Sequence, residues 1–158
     1  MIRTLDASML NLSHSIRELA PLAAACGIQA ISATAEVVDD EGAGQAGVAF
    51  DTFHWYTSGG ASQDDLILMA QHPERLVAVH LNDAVARVPF DRQQDMVRRL
   101  PLETGVIDTR RVLACLRARE NDALYMIEPF EPSRSRFHEL SAEAAVREVA
   151  GIFERLER

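Results

Sequence analysis

Thiols are scarce in this sequence. It has two cysteines, Cys26 and Cys115, each inside an apolar helical pattern, and no Cys-x-x-Cys pair. A thiolate zinc site is therefore excluded, and isolated cysteines of this kind read as buried structural thiols of a reducing, cytoplasmic compartment. Long apolar runs are also missing. None approaches the ~20 residues of a membrane span, and the N-terminal stretch lacks the basic-then-apolar layout of a secretory signal. Positive charge is in deficit: 16 Lys and Arg stand against 24 Asp and Glu, a net charge of −8 over 158 residues. A chain that grips nucleic acid by its phosphates needs a cationic surface, so this balance argues against such a partner. A small anionic substrate in a locally basic cleft stays compatible with it. What the chain does have is a 47% share of hydrophobic residues, enough for one packed domain.

Short apolar runs alternate with longer helical patterns, the order expected of βαβ units around a parallel sheet. Residues 2–8 read as a first strand. Ser15 and Glu18 form a capping box that opens a helix through Ile16, Leu19, Ala20 and Ala23, and Gly27 closes it. Residues 28–32 read as a second strand, 33–41 as an ambiguous stretch and 42–44 as a loop. Residues 47–50 form an apolar strand ending at Asp51, 62–71 a helix stopped by Pro73, and 76–79 a strand ending at His80. A long polar loop covers 82–105. Asp108 caps a helix through Val112, Leu113 and Leu116, and residues 124–127 form a fifth strand ending at Glu128. Residues 141–156 form an amphipathic helix with Val146, Val149, Phe153 and Leu156 on one stripe.

Three successive strands thus each deliver one metal-capable side chain at the C-terminal end: Asp51, His80 and Glu128. In parallel α/β architectures that edge of the sheet binds ligands, while the opposite edge serves stability. Two carboxylates and one imidazole suit a single divalent ion, Mn, Mg, Co or Zn. Polar residues also follow buried strands simply because loops begin there, but three ligand types in a row favour a site.

The words Asp51-Thr52-Phe53-His54-Trp55, His80-Leu81-Asn82-Asp83 and Ile127-Glu128-Pro129-Phe130 resemble the sugar phosphate isomerase/epimerase superfamily of xylose-isomerase-like TIM barrels. That group also contains inosose isomerases, inosose and dehydroshikimate dehydratases, and endonuclease IV. Arg99-Leu100-Pro101 followed by Gly105-Val106-Ile107-Asp108 looks like a loosened form of the family's Arg-x-Pro-Gly-x-Gly loop. The resemblance implies that Asp51, His80 and Glu128 are metal ligands, with Glu128 also a proton-transferring acid/base. It implies that His54, in the loop beyond the strand, touches substrate hydroxyls or a nearby carboxylate without binding metal. Trp55 is expected to wall the pocket, and Phe53 to pack in the core. Asp83 polarises a ligand or holds the long loop, and Arg87 and Arg99 are candidate binders of a substrate anion. Endonuclease IV carries an Asp-Arg-His-His word where this chain has Asp91-Arg92-Gln93-Gln94, and glutamine is a poor zinc ligand. A single-metal, isomerase-type site is the expectation, acting on a carbohydrate or polyol with neither nucleic acid nor membrane as partner.

A complete eight-unit barrel takes about 250 residues. This chain matches the family's first two strands and then what look like its sixth to eighth. The alternative is that residues 16–28 are the helix before an eroded fifth strand. On either alignment the family's other metal-binding glutamate is missing, and Glu36 is the nearest carboxylate. The expected fold is α/β: a partial, TIM-barrel-derived parallel sheet of about five βα units, forming one truncated domain over residues 1–158. Its second and sixth strands are the open edges, with Asp51 near the seam. Apolar residues such as Val48, Phe50, Val77 and Val79 are expected to lie uncovered, so a homodimer or higher oligomer completes the sheet. A non-catalytic metal- or sugar-binding remnant and a lyase of the dehydratase type are the alternative functions.

Overall fold

The computed structural model describes residues 1–6, 16–32, 48–59, 61–128 and 130–158. The expected strand end at 7–8, the Ser15 half of the capping box, the stretch 33–47 with Glu36, and Pro129 lie outside the described residues. Five strands are described: β1 (Ile2–Asp6), β2 (Ala30–Ser32), β3 (Val48–Asp51), β4 (Leu76–Leu81) and β5 (Leu124–Ile127). They form one sheet in the order β2-β1-β5-β4-β3, every pair parallel. The described helices are α1 (Ile16–Ala25), α2 (Thr52–Gly59), α3 (Gln63–Gln71), α4 (Thr109–Leu116), α5 (Ser133–His138) and α6 (Ala142–Leu156). This is the parallel α/β sheet that the βαβ alternation implies and the partial, barrel-derived sheet that the resemblance implies, with β2 and β3 at the edges of the described sheet. None of the described helices is long and apolar enough to cross a membrane.

Side chains alternate across a strand, and that parity divides the sheet into two faces. One face carries Leu5, Phe50, Val79, Leu81, Tyr125 and Ile127 into the core, where Leu66 of α3, Val112 and Leu113 of α4, and Val146, Val149 and Phe153 of α6 also sit. The other face carries Asp51, His80 and Met126 in one cross-strand row. The expectation that Phe50 and Val79 lie uncovered is therefore wrong: they are 7% and 0% exposed because their parity turns them to the helices. Val48 and Val77 are exposed as expected, at 42% and 50%. The reason for Val77 is local. Val48 pairs with Leu76 but Ala49 with Ala78, so Val77 is the extra residue of a bulge and is turned out of the ladder.

Helix ends follow the residues that mark them. Gly27 adopts φ +70° just past α1, with its N–H donated to the Ala24 carbonyl and that of Ile28 to the Ala23 carbonyl. A residue with a Cβ pays for that left-handed backbone, and glycine does not. The side chains of Ser62, Asp108 and Ser141 cap α3, α4 and α6 by accepting from the N–H groups of Asp65, Arg111 and Ala144.

The long segment after β4 is irregular but tightly held. Asp83, fully buried, accepts hydrogen bonds from the backbone N–H groups of Ala84 (2.8 Å), Thr104 (2.9 Å), Gly105 (2.7 Å) and Ile107 (2.9 Å). Its own backbone pairs with Arg99 in an antiparallel bridge. Gln93 spans the tip of the same segment, with its amide bonded to Val85 and Val88 backbone groups. One carboxylate thus ties the start of the loop to its end. Replacing Asp83 with Ala strands buried donors and is expected to cost about 2–4 kcal/mol in urea unfolding. Asp83→Asn, with one accepting oxygen left, is expected to fall between. A loss below about 1 kcal/mol for Asp83→Ala would show that the backbone bridge holds the loop unaided.

Candidate metal centre

The C-terminal ends of β3, β4 and β5 lie side by side and carry three polar residues: Asp51 is the last residue of β3, His80 the last but one of β4, and Glu128 the first beyond β5. Each offers one ligand atom, and these atoms all lie within 4.8 Å of one another. An ion with oxygen and nitrogen ligands at about 2.0–2.6 Å separates its ligand atoms by at most about 4–5 Å, so the set fits a divalent cation. His80 Nδ1 stands 3.2 Å from Glu128 Oε1 and 3.8 Å from Asp51 Oδ2. The three side chains are 12–25% exposed, so the group is open to solvent on one side. Two residues past His80, the Asn82 side-chain amide is buried without a partner among the described residues, a polar group left over for water or a ligand.

Asp51 does two jobs. Its Oδ1 accepts from the N–H groups of Phe53 (2.8 Å) and His54 (3.0 Å), capping α2, while its Oδ2 faces the trio. This corrects the expected loop after β3, because a strand-end aspartate followed by threonine is also a helix start. His54 lies in the first turn of α2, not in a loop. Its ring still reaches the site, with Nε2 2.9 Å from Arg98 Nη2 and 3.4 Å from Asp95 Oδ1, and it stands outside the ligand trio.

Arg98 is the residue the sequence reading missed. Its side chain is 3% exposed, and Nη1 donates to Asp51 Oδ2 (2.8 Å) and Glu128 Oε2 (2.6 Å). Nη2 donates to Asp95 Oδ1 and meets His54, and Nε donates to the Asp95 carbonyl. The guanidinium lies 4.9 Å from the Phe53 ring centroid and 4.7 Å from that of Phe130. The neighbouring arginines are elsewhere. Arg99 leans toward Glu103 (3.8 Å), and Arg87 is exposed at a positive φ of 64°. The bridge between Asp83 and Arg99 sets the parity that points residue 98 inward. Trp55 is also turned from the ligand trio: its ring packs near Phe50 at 5.9 Å and its N–H bonds the Ser62 carbonyl. Phe53 is buried in a small cluster with Ala84 and Ile107.

Electrostatics follow from this crowding. The hydrogen bond to Glu128 is the largest influence on His80 and holds its pKa above the ordinary 6.5, with burial opposing and the charges of Glu128 and Asp51 assisting. Burial is the largest influence on Glu128 and pushes it up, but the His80 hydrogen bond and the charges of His80 and Arg98 outweigh it. Glu128 is therefore held below the ordinary 4.5. Asp95 is lowered by its hydrogen bond from Arg98.

Parallel βα units with their polar centre at the strand C-termini define an α/β protein of the kind that binds ligands at that edge of the sheet. Residues 3–156 match the family described as xylose isomerase-like TIM barrel, and the chain belongs to that family. Among solved structures it is similar to an IolI protein described with a binding zinc atom, at 21% identity and a TM-score of 0.55, over 70% of this chain and 37% of that one. It is also similar to a xylose isomerase domain protein from Alicyclobacillus acidocaldarius subsp. acidocaldarius, at 23% identity and a TM-score of 0.52, over 90% and 42%. The chain thus spans about two-fifths of the length of these neighbours. No curated protein matches it.

A raised histidine pKa contributes stability below the unfolded value, and that contribution is lost as pH rises through the folded value. In buffer with a chelator, the stability advantage of the wild type over His80→Gln is expected to be largest near about pH 6 and to shrink toward about pH 9. Urea unfolding at both pH values measures it, and an advantage that grows with pH would contradict the ion pair.

Proposed function

We propose that this chain is a divalent-metal-dependent isomerase or epimerase of a sugar, inosose or similar polyol, moving a proton next to a carbonyl. The observation that carries the reading is the Asp51–His80–Glu128 trio at three adjacent strand ends of a xylose isomerase-like chain. In this reading the trio holds one ion of the Mn, Mg, Co or Zn type. When bound, the ion supplies Lewis-acid polarisation of the substrate carbonyl and its neighbouring hydroxyl. Glu128 serves as the base that removes the proton and returns it. His54, exposed at the rim on α2, contacts substrate hydroxyls. Asp83 and Arg99 act from behind by fixing the loop, and Trp55 by packing α2, while Arg87, exposed on the long loop, is a candidate binder of a substrate anion. The protein is read as one domain over residues 1–158, working in the cytoplasm on a small molecule.

A second reading is favoured by one fact: among the described residues the metal-capable group is Asp51, His80 and Glu128, with no further carboxylate. An epimerase that shuttles a proton between faces uses two carboxylates that flank the substrate, so the same trio also suits a non-catalytic metal- or sugar-binding protein. A dehydratase uses the same residues. Metal analysis, followed by NMR of deuterium uptake next to the carbonyl of a panel of ketoses and inososes, separates the three. Exchange supports the isomerase, loss of water the lyase, and metal without either the binding protein. Within the enzyme reading, His80→Ala is expected to lower metal affinity by about tenfold or more, while His54→Ala keeps the metal and loses turnover. Equal metal loss in both would show that the roles are misassigned.

The same reading includes self-association. β2 and β3 are the outer strands of the described sheet, and Val48, Val77 and Leu124 expose apolar surface at the strand starts. An edge strand presents unpaired N–H and C=O groups that a second copy satisfies. Sedimentation at micromolar concentration is expected to show a dimer or larger species, and a single species at 17.5 kDa would refute it.

A further inference from the structure

Arg98 spends all its donors inside the candidate centre. A guanidinium has five N–H groups, and here Nε serves Asp95, Nη1 serves Asp51 and Glu128, and Nη2 serves Asp95 and His54. The group is 3% exposed and lies between the rings of Phe53 and Phe130, so its position is fixed by packing as well as by charge. Asp51 has little freedom to accommodate a second cation. Its Oδ1 is committed to the N-terminus of α2, which leaves Oδ2 alone for the centre, and that oxygen is the one Arg98 holds. Glu128 is divided similarly, with Oε2 on Arg98 and Oε1 toward His80. A divalent ion on these ligands and the Arg98 Nη1 therefore claim the same Asp51 oxygen, two like charges within a few ångströms of each other.

We propose that Arg98 is a resident counter-cation of the centre that a divalent metal must displace, so that this arginine sets how weakly the chain holds its metal. The proposal deepens the metal reading above and rests on it. Both states are accounted for by the same chemistry. With Arg98 on the carboxylates, the two acids at the strand ends are neutralised and the fold is stable without an ion. With an ion on them, Nη1 gives up its two ion pairs, while Nε and Nη2 keep the group tethered to Asp95. The cost of breaking charge-assisted bonds in a mostly buried place is subtracted from metal affinity.

The test is calorimetric titration of the full chain with Co²⁺ alone, in wild type, Arg98→Met and Arg98→Lys. Methionine is unbranched, uncharged and packs well between aromatic rings, so the slot between Phe53 and Phe130 stays filled. Arg98→Met is expected to bind Co²⁺ at least about tenfold more tightly than wild type, and Arg98→Lys, which keeps the charge without the fork, to fall between. A folded Arg98→Met with equal or weaker affinity overturns the proposal and leaves the metal reading intact. Absence of binding in wild type and variant alike overturns both. A second measurement needs no variant: in ¹⁵N-arginine-labelled wild type, Zn²⁺ is expected to shift the Arg98 side-chain resonances and to speed exchange of its Nη1 protons. Saturation with Zn²⁺ that leaves those resonances unmoved overturns the displacement.

Discussion

Two carboxylates at the ends of β3 and β5 face one another across the histidine of β4, and most of the polar architecture serves to keep them there. Like charges at this separation, at most 16% exposed, repel unless cations stand between them. Arg98 is that cation, and His80, its pKa raised chiefly by the hydrogen bond to Glu128, leans the same way. Burying an arginine is expensive, and here Asp51, Glu128 and Asp95 together with two aromatic faces offset the cost. The chain of dependence then runs outward. Arg98 reaches the centre only because the segment after β4 folds back, and that segment folds back because buried Asp83 collects its backbone donors.

Asp51 links this electrostatic centre to the helical layer. Its carboxylate is shared between a helix N-terminus and the trio, so the orientation of α2 and of the site are one decision. The N–H groups at the start of α2 and the Arg98 guanidinium both hold this carboxylate, and a group held from two sides has little rotamer freedom left to lose when it takes up a ligand. His54 gains its place from the same cap. It sits at the first turn of the helix that Asp51 opens, and its ring meets the two residues, Arg98 and Asp95, that complete the ion-pair network.

Much of this was legible before any geometry, for identifiable reasons. The strand ends at Asp51, His80 and Glu128 were readable because a buried parallel strand is a short apolar run, and its end is where polarity resumes. The cap at Asp108 and the glycine after α1 were readable because each meets a backbone need that few residues satisfy. Parity was harder. Both faces of β3 and β4 carry apolar residues, so nothing in the composition of Val48, Phe50, Val77 and Val79 says which pair the helices cover, and a bulge at Val77 breaks the alternation. Arg98 was illegible for the same reason in sharper form. It stands beside another arginine in a loop, and only the register of the Asp83–Arg99 bridge decides which of the two turns inward. The brevity of α2, eight residues rich in threonine and aromatics, left its Asp51 cap as the one signal, and that aspartate already had a second explanation.

The strand order carries one more consequence. In a closed barrel each strand has two neighbours, and β1, β4 and β5 already have theirs within this sheet. The three ligand strands are consecutive in it, so the centre is assembled from β3, β4, β5 and one loop without help from β1 or β2. That makes the site robust to what happens on the β2 side. It also puts Asp51 on an edge strand, where one flank of the backbone has no partner among the described strands. Edge strands fray first, because half their ladder is absent. The Asp51 carboxylate counters this: its bonds to α2 and Arg98 fasten the end of β3 to a helix and a loop. The interaction that organises the centre is thus also the one that pins the exposed edge of the sheet.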